Sequence, residues 1–565
     1  MRARLTQMSR VTPFGLFALE FFYLSFIHSW EVDPHHDGIM YTAAVGAYEG
    51  KVPNRDFFAQ YGPISPIIQG LWFRLTDPTV WNLRLLASLG LAFIGALIYI
   101  GARRRLSILT SVLLSSCWVL SGPFGLPWSS VFSTIFILGS LLLFESIFSS
   151  QFQGKSRYYG FFIGVLLALG TFTRIHTLVV FFAATLGLLA FRDPWKYRRI
   201  AALVSLGYFL TLISITLALA KHDALKAYLN QCILWASGRY AGGPELSISF
   251  FFNLMWIPLF GITNLLILKH LSNSKSLKVS YTLKITLPIF FFYSVLVLLS
   301  QLQRSGPETL RNPRILSIIA GQKAQFSFNF LVLTFFVGLL AFGLYKSVKG
   351  KNLELFVGNK SQIVYVLIAV ATLTQLYPYA DEYHIAFIVP IVIVASVFVL
   401  PQELKSNRSQ LAFRYLAVVL IPTLITHALI LANVGRVEFK SKTLTGMYGS
   451  WQSTKPLDLT MLQLERERPG IRFLCADGLY AGAGGQYLSD NEKFVNWGPP
   501  STGKRVANRE FVCSADQQLI SSYGEQGWQV KFKVLLSPQA GSSNISYWNV
   551  LFERFESVTD KEGVR

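Results

Sequence analysis

The chain has 565 residues, of which 52% are hydrophobic and only 14% charged, and its mean hydropathy is +0.43. Soluble globular proteins carry about 25% charged residues, so an ordinary soluble domain is excluded and a polytopic membrane protein is indicated. The net charge of +21 does not imply nucleic acid, because the basic residues sit in short segments between apolar runs. Such alternation is the positive-inside pattern that orients membrane helices.

In chain order, apolar runs predict spans near 12–30, 80–101, 108–121, 129–148, 158–173, 175–191, 199–219, 250–268, 284–300, 327–345, 361–377, 385–401 and 414–432. That makes about thirteen helices, set against the ~20 residues that ~30 Å of hydrocarbon requires. With MRARLTQMSR inside, the segments GARRRLS, QGKSRYY, RDPWKYRR, KHLSNSKSLK, KSVKGKNLELFVGNK and PQELKSNRSQLAFR all fall on that same side. The first span lacks a small-residue cleavage site after it and reads as an anchor. A plasma (inner) membrane protein with a cytoplasmic N-terminus follows.

The outside segments are then 31–79, 122–128, the link near 174, 220–249, 301–326, 378–384 and everything after 433. The first of them reads EVDPHHDGIMYTAAVGAYEGKVPNRDFFAQYGP and predicts two short helices. DGIMYTAAVGAYEG ends at Gly50, a glycine suited to a helix end. NRDFFAQYGPISPIIQGLWFRL is amphipathic, broken by Gly62-Pro63. Both are expected in the interface plane with their apolar faces toward lipid, which leaves Asp37 at a helix start facing water. As a bland alternative, Asp37 caps that helix. Arg55 and Asp56 suit a structural ion pair or a substrate contact, and Tyr61 an interfacial belt position or a sugar platform.

Further along, LGTFTRIHTLVVFF sets Arg174 and His176 between two short spans. Ionisable groups at that depth are costly and keep a partner or a ligand. QLQRSGPETLRNPRILSIIAGQKAQ is an outside loop that is basic against the topology pattern, which singles out Arg304, Arg311, Arg314 and Lys323 for phosphate or lipid headgroups. YPYADEYHIAFIVP carries Asp381, Glu382 and His384 just before a span. The tail 433–565 is richer in acidic residues and predicts a small α/β domain of strands around one helix. Its Cys475 and Cys513 suit one disulfide if the tail faces an oxidising space. No CxxC spacing appears, and the neighbours His35, His36 and Asp37 diverge too much to chelate one ion readily, so neither a metal nor a cofactor is expected.

The acidic residue after span one, followed by G-x-x-x-Y-x-A, EGKVPNRDFF and YGP, resembles the first extracytoplasmic loop of GT-C glycosyltransferases. These multi-spanning enzymes are related to polyprenyl-phosphate-mannose protein mannosyltransferases and lipid A aminoarabinose transferases. Where that family carries an Asp-Glu or Asp-Asp pair this chain has His36-Asp37, with Asp33 four residues upstream. Asp381 to His384 resembles the Asp-x-x-His turn of bacterial members.

The resemblance implies a GT-C transmembrane catalytic domain over 1–432, with 31–79 as its first extracytoplasmic loop and 433–565 as an extracytoplasmic α/β domain. It implies transfer of a sugar from a polyprenyl-phosphate donor in the bilayer to a hydroxyl of a glycan, lipid or protein, with inversion. Asp37 would be the general base and Asp33 its substitute. Arg174, Arg304, Arg311, Arg314 and Lys323 would hold the departing phosphate, while His36, Arg55, Asp56, Tyr61, His176, Asp381 and His384 would contact substrate. Two rivals share the membrane setting: a transporter or flippase for a lipid-linked sugar, and an O-antigen ligase-like enzyme using a lipid diphosphate donor. Transporters tend to place ionisable groups mid-span, and the ligase-like enzymes rely on large late loops. A third, a non-catalytic scaffold, leaves the Asp37 loop idle.

Overall fold

The computed structural model describes residues 2–29, 32–34, 36–59, 61–121, 128–149, 156–190, 194–234, 361–376, 382–399, 437–449, 451–467, 472–474, 509–515, 517–526, 528–535 and 548–553. The expected spans near 250–268, 284–300, 327–345 and 414–432 lie outside them, as do His35, Arg304, Arg311, Arg314, Lys323, Asp381, Cys475 and the side chains of Glu382 and Cys513.

The described apolar runs form helices α1 (Arg2–His28), α4 (Val80–Arg103), α5 (Ile108–Ser121), α6 (Ser129–Phe148), α7 (Ser156–Thr173), α8 (Thr177–Leu189), α9 (Pro194–Lys221), α11 (Ser361–Thr372) and α12 (Glu382–Val399). Between them lie α2 (His36–Tyr48), α3 (Ile64–Phe73) and the short α10 (Leu225–Tyr228), which runs into a π-helical turn at Leu229–Leu234. Among the described residues, Val80–Arg103, Ser129–Phe148 and Trp195–Lys221 are long and apolar enough to cross a membrane.

Small residues let these helices approach closely, as membrane packing requires. Gly160-Phe-Phe-Ile-Gly164 on α7 is a G-x-x-x-G face, and a Cβ on Gly164 would strike the Val204 carbonyl of α9. From the other side, Gly207 of α9 lies against the Phe161 carbonyl. Tyr208 fills the seam, its ring stacked on Phe181 at 3.7 Å and its hydroxyl 3.0 Å from the Thr171 hydroxyl.

The helices alternate in direction, so two ends are distinct. One end gathers Arg104, Arg105, Glu145 and Tyr365. Arg105 Nη2 donates to Glu145 Oε1 at 2.7 Å, Tyr365 Oη donates to Oε2 at 2.5 Å, and Arg104 Nη1 reaches the Leu142 carbonyl at 3.2 Å. Part of the GARRRLS run, which the spacing alone assigns to topology, therefore ties α4, α6 and α11 together. Glu145→Ala would leave the buried Tyr365 hydroxyl and the part-exposed Arg105 without their acceptor and is expected to cost ~1–3 kcal/mol. Glu145→Gln keeps an acceptor for Tyr365 and should lose less; thermal unfolding midpoints in detergent check both.

The opposite end carries α2, α3 and their connection. Residues 54–59 and Tyr61, expected to be helical, form an irregular loop instead. Asn54 stands at φ +68° and donates from Nδ2 to the Ala59 carbonyl at 3.0 Å and to Gln231 Oε1 at 2.8 Å. Gln231 Nε2 returns a bond to the Asn54 carbonyl at 2.9 Å, so the π-helical turn holds the loop. Gly62 has φ +120°, and a Cβ there would run into the Phe172 carbonyl oxygen at the end of α7. Gly62→Ala is therefore expected to cost ~1–3 kcal/mol in backbone strain and to displace Tyr61. Gly50, with φ +79° and nothing near its missing Cβ, is the control: Gly50→Ala should lower the unfolding midpoint less.

In the tail, strands β1 (Val437–Glu438) and β2 (Tyr448–Gly449) pair antiparallel and precede α13 (Trp451–Arg466). Strands β3 (Arg472–Leu474), β4 (Arg509–Ala515), β5 (Gln529–Leu535) and β6 (Trp548–Glu553) form a sheet of order β3-β4-β6-β5, with α14 (Gln517–Glu525) between β4 and β5. Within this sheet, among the described residues, β3 pairs parallel with β4 while β4–β6 and β5–β6 are antiparallel.

This tail does not stand apart. Phe439, Leu444, Met447, Met461, Leu464, Phe511 and Leu551 share one buried cluster with Ile39, Met40, Tyr41, Ala44, Phe73, Val80 and Leu83. Tyr448 N donates to the Ser29 carbonyl at the end of α1 at 2.8 Å. The apolar face of α2, expected against lipid, is instead covered by protein. A neighbouring apolar surface removes it from water as effectively as hydrocarbon would.

Candidate active site

Asp37 is the second residue of α2, where an acidic side chain complements the helix dipole. Its side chain is fully buried, contrary to the expected water-facing position. The reason is Arg84 on the first turns of α4, 5% exposed, whose fork closes on it: Nε to Oδ1 at 2.9 Å and Nη2 to Oδ2 at 2.5 Å. Arg84 Nη1 also donates to the His28 carbonyl at 3.1 Å, and His28 Nδ1 lies 2.6 Å from the Ser88 hydroxyl. Two desolvated charges are tolerable only with this density of hydrogen bonds, and together they join the ends of α1, α2 and α4.

Asp33 performs the capping. Its carbonyl accepts the Asp37 N–H at 3.0 Å, Oδ1 accepts the His36 N–H at 3.0 Å, and its own N–H donates to Asp37 Oδ2 at 2.9 Å. That reciprocity is the logic of a capping box. Oδ2 lies 2.7 Å from His36 Nδ1, and both side chains reach solvent, with 42% of Asp33 and 36% of His36 exposed.

Beside them Trp128, just before α6, is the hub. Its ring lies 5.6 Å from that of His36, 6.0 Å from Tyr61 and 5.9 Å from His384. Arg174 from the α7–α8 link stacks 4.6 Å over the Tyr61 ring and donates to Ser130 Oγ on the first turn of α6. Arg174 Nη2 is 3.4 Å from His384 Nε2, and Gln375 Nε2 is 3.4 Å from Ser130 Oγ. α8 begins at Thr177, so His176 belongs to the link. Burial, with the Arg174 guanidinium beside it, holds His176 well below the usual imidazole range. Ser129 Oγ, Thr177 Oγ1 and His176 Nε2 are buried without a hydrogen-bond partner among the described residues. An α6 N-terminus with these hydroxyls and a guanidinium suits an anion.

Of the residues singled out by sequence, Asp33, His36, Asp37, Tyr61, Arg174, His176 and His384 belong to this region. Arg55 and Asp56 do not: Arg55 grips Asp56 at 2.8 and 2.9 Å and the His222 carbonyl at 3.1 Å, on the side of the loop that meets α9. The fork of Arg55 holds the Asp56 carboxyl below its ordinary range, as a structural pair does. Sequence reasoning missed Arg84, Trp128, Ser130 and Gln375. A signal existed for Arg84, since a lone arginine early in an apolar span demands a partner.

No family model and no curated protein matches the chain. In structure it is similar to an oligosaccharyltransferase from Archaeoglobus fulgidus, solved with zinc and sulfate: 11% identity, 77% of this chain, 52% of that chain, TM-score 0.40. The apo form of the same protein gives 10% identity, 83% and 57% coverage and a TM-score of 0.41. ArnT from Cupriavidus metallidurans, bound to undecaprenyl phosphate, gives 10% identity, 96% and 97% coverage and a TM-score of 0.40. The chain spans about half the length of the oligosaccharyltransferase and nearly the whole of ArnT.

Proposed function

We propose that the chain is a polytopic membrane glycosyltransferase. It moves a sugar from a polyprenyl-phosphate donor to an acceptor hydroxyl of a glycan, lipid or protein on the extracytoplasmic face, by one displacement that inverts the anomeric centre. The observation that carries this is the convergence on Trp128. His36 from the start of α2, Tyr61 and His384 all have their rings within about 6 Å of the indole, and Arg174, bonded to Ser130 at the α6 N-terminus, stacks on that same Tyr61 and reaches His384.

A sugar phosphate needs two functions separated by about the width of a sugar. A base takes the proton of the attacking hydroxyl, and a cation stabilises the phosphate that leaves. Arg174, with Ser130 and the amides of α6, suits the phosphate, and Tyr61 and Trp128 suit the sugar. Between the two carboxylates, burial in the Arg84 fork favours a positioning part for Asp37. The accessible proton-handling group is then on the Asp33 side.

The test supplies purified protein in lipid nanodiscs with labelled undecaprenyl-phosphate sugars and follows transfer and hydrolysis. Turnover by the wild type, lost in Asp33→Asn with an unchanged unfolding midpoint, is the expected result. An Asp33→Asn variant that turns over like the wild type defeats this assignment.

A further inference from the structure

We propose that His36 is the group that accepts the proton of the attacking hydroxyl, and that Asp33 is the residue that orients it. This rests on the glycosyltransferase reading and assigns a proton acceptor within it. Asp33 would need only its Oδ1 bond to the His36 N–H to cap α2; the second contact, Oδ2 to His36 Nδ1 at 2.7 Å, goes beyond capping. A carboxylate only accepts, so Nδ1 carries the hydrogen and the neutral ring's basic nitrogen is Nε2. A histidine whose tautomer is set by a carboxylate behind it, and whose far nitrogen takes the proton of a hydroxyl, is the arrangement of the Ser-His-Asp triad.

Two further observations point to the ring and away from the carboxylates. Both Asp37 oxygens are bound by Arg84 and the side chain is fully buried, so proton transfer to it requires opening a buried ion pair. The His36 ring is partly exposed and lies 5.6 Å from the Trp128 ring, which is 5.9 Å from His384, and Arg174 Nη2 is 3.4 Å from His384 Nε2.

The step balances without a co-reactant. The acceptor O–H gives its proton to Nε2, and the oxygen lone pair forms the new bond to the anomeric carbon. The anomeric carbon–oxygen bond to phosphate breaks, and its electron pair leaves on the lipid phosphate, which gains one negative charge toward Arg174. The imidazolium then returns its proton to water.

Two measurements on the full chain in nanodiscs decide the matter. In the first, labelled undecaprenyl-phosphate mannose, glucose and galactose are the donor probes, with water as the acceptor. His36→Gln is expected to lower kcat by ~10²–10⁴-fold while KM changes by less than about threefold. Free imidazole should restore part of the activity of His36→Ala and none of that of Asp37→Asn. In the second, 15N-histidine spectra, with the His36 signal assigned by its absence in His36→Gln, should show the Nδ1–H tautomer in the wild type. Asp33→Asn, whose amide can donate to Nδ1, should shift it toward Nε2–H with a fall in kcat.

A His36→Gln enzyme within about threefold of the wild type in kcat, beside an active wild type, overturns the assignment and leaves the glycosyltransferase reading standing. An Nε2–H tautomer in the wild type overturns the role of Asp33. A wild type that turns over none of the three donors overturns the glycosyltransferase reading and the base with it.

Discussion

Arg84→Leu is expected to destabilise the protein by ~3–5 kcal/mol, because it leaves the Asp37 carboxylate buried with no countercharge. The pair is suited to so large an effect: Asp37 is fully buried and Arg84 5% exposed, and the guanidinium also satisfies the His28 carbonyl at 3.1 Å. The double variant Arg84→Leu with Asp37→Leu should recover most of the loss in unfolding midpoint, since an apolar pair of similar volume removes both desolvation costs. Activity should not recover with it. Asp37 Oδ2 accepts the Asp33 N–H at 2.9 Å, so the double variant folds with the capping loop released. Regained stability without regained turnover would separate the pair's contribution to folding from its placement of Asp33 and His36.

Arg174→Ala should lower kcat by ~10²–10³-fold if the guanidinium stabilises the departing phosphate. Arg174→Lys should fall between, because an ammonium keeps the charge but loses the planar fork and the stacking over Tyr61 at 4.6 Å. Ser130→Ala, which removes the acceptor on the first turn of α6, should have a smaller effect with the same sign. Steady-state kinetics on an undecaprenyl-phosphate sugar, with an unfolding midpoint for each variant, measure all three. An Arg174→Ala enzyme that keeps wild-type kcat would move the phosphate elsewhere, and the segment holding Arg304, Arg311, Arg314 and Lys323 would be next to test.

The shared core changes how the tail is to be probed. Removing residues 440–565 would uncover Ile39, Met40 and Tyr41 on the helix that carries Asp37, so donor hydrolysis and acceptor transfer would be lost together. Substitutions on the outer face of α14, where Leu519 is exposed, leave that core intact and are the better test of acceptor recognition.

How much was legible beforehand depends on the range of the interaction. The apolar runs that became α4, α6 and α9 were readable because a membrane span depends on composition within one segment. The start of α2 near Asp37 and the break at Gly62 were readable for the same reason, as caps and glycines act over a few residues. What sequence alone determined is therefore a helical membrane chain with a chemically rich first loop and Arg174 and His384 set apart along the chain. Tertiary structure decided that Asp37 is buried, because Arg84 stands 47 positions away. It also decided that the apolar face of α2 meets the tail, and that Trp128 joins His36, Tyr61 and His384. Periodicity marks a surface that must be covered and a charge that must be paired; which partner does so is fixed by how the helices pack, and neither spacing nor composition encodes that over such distances.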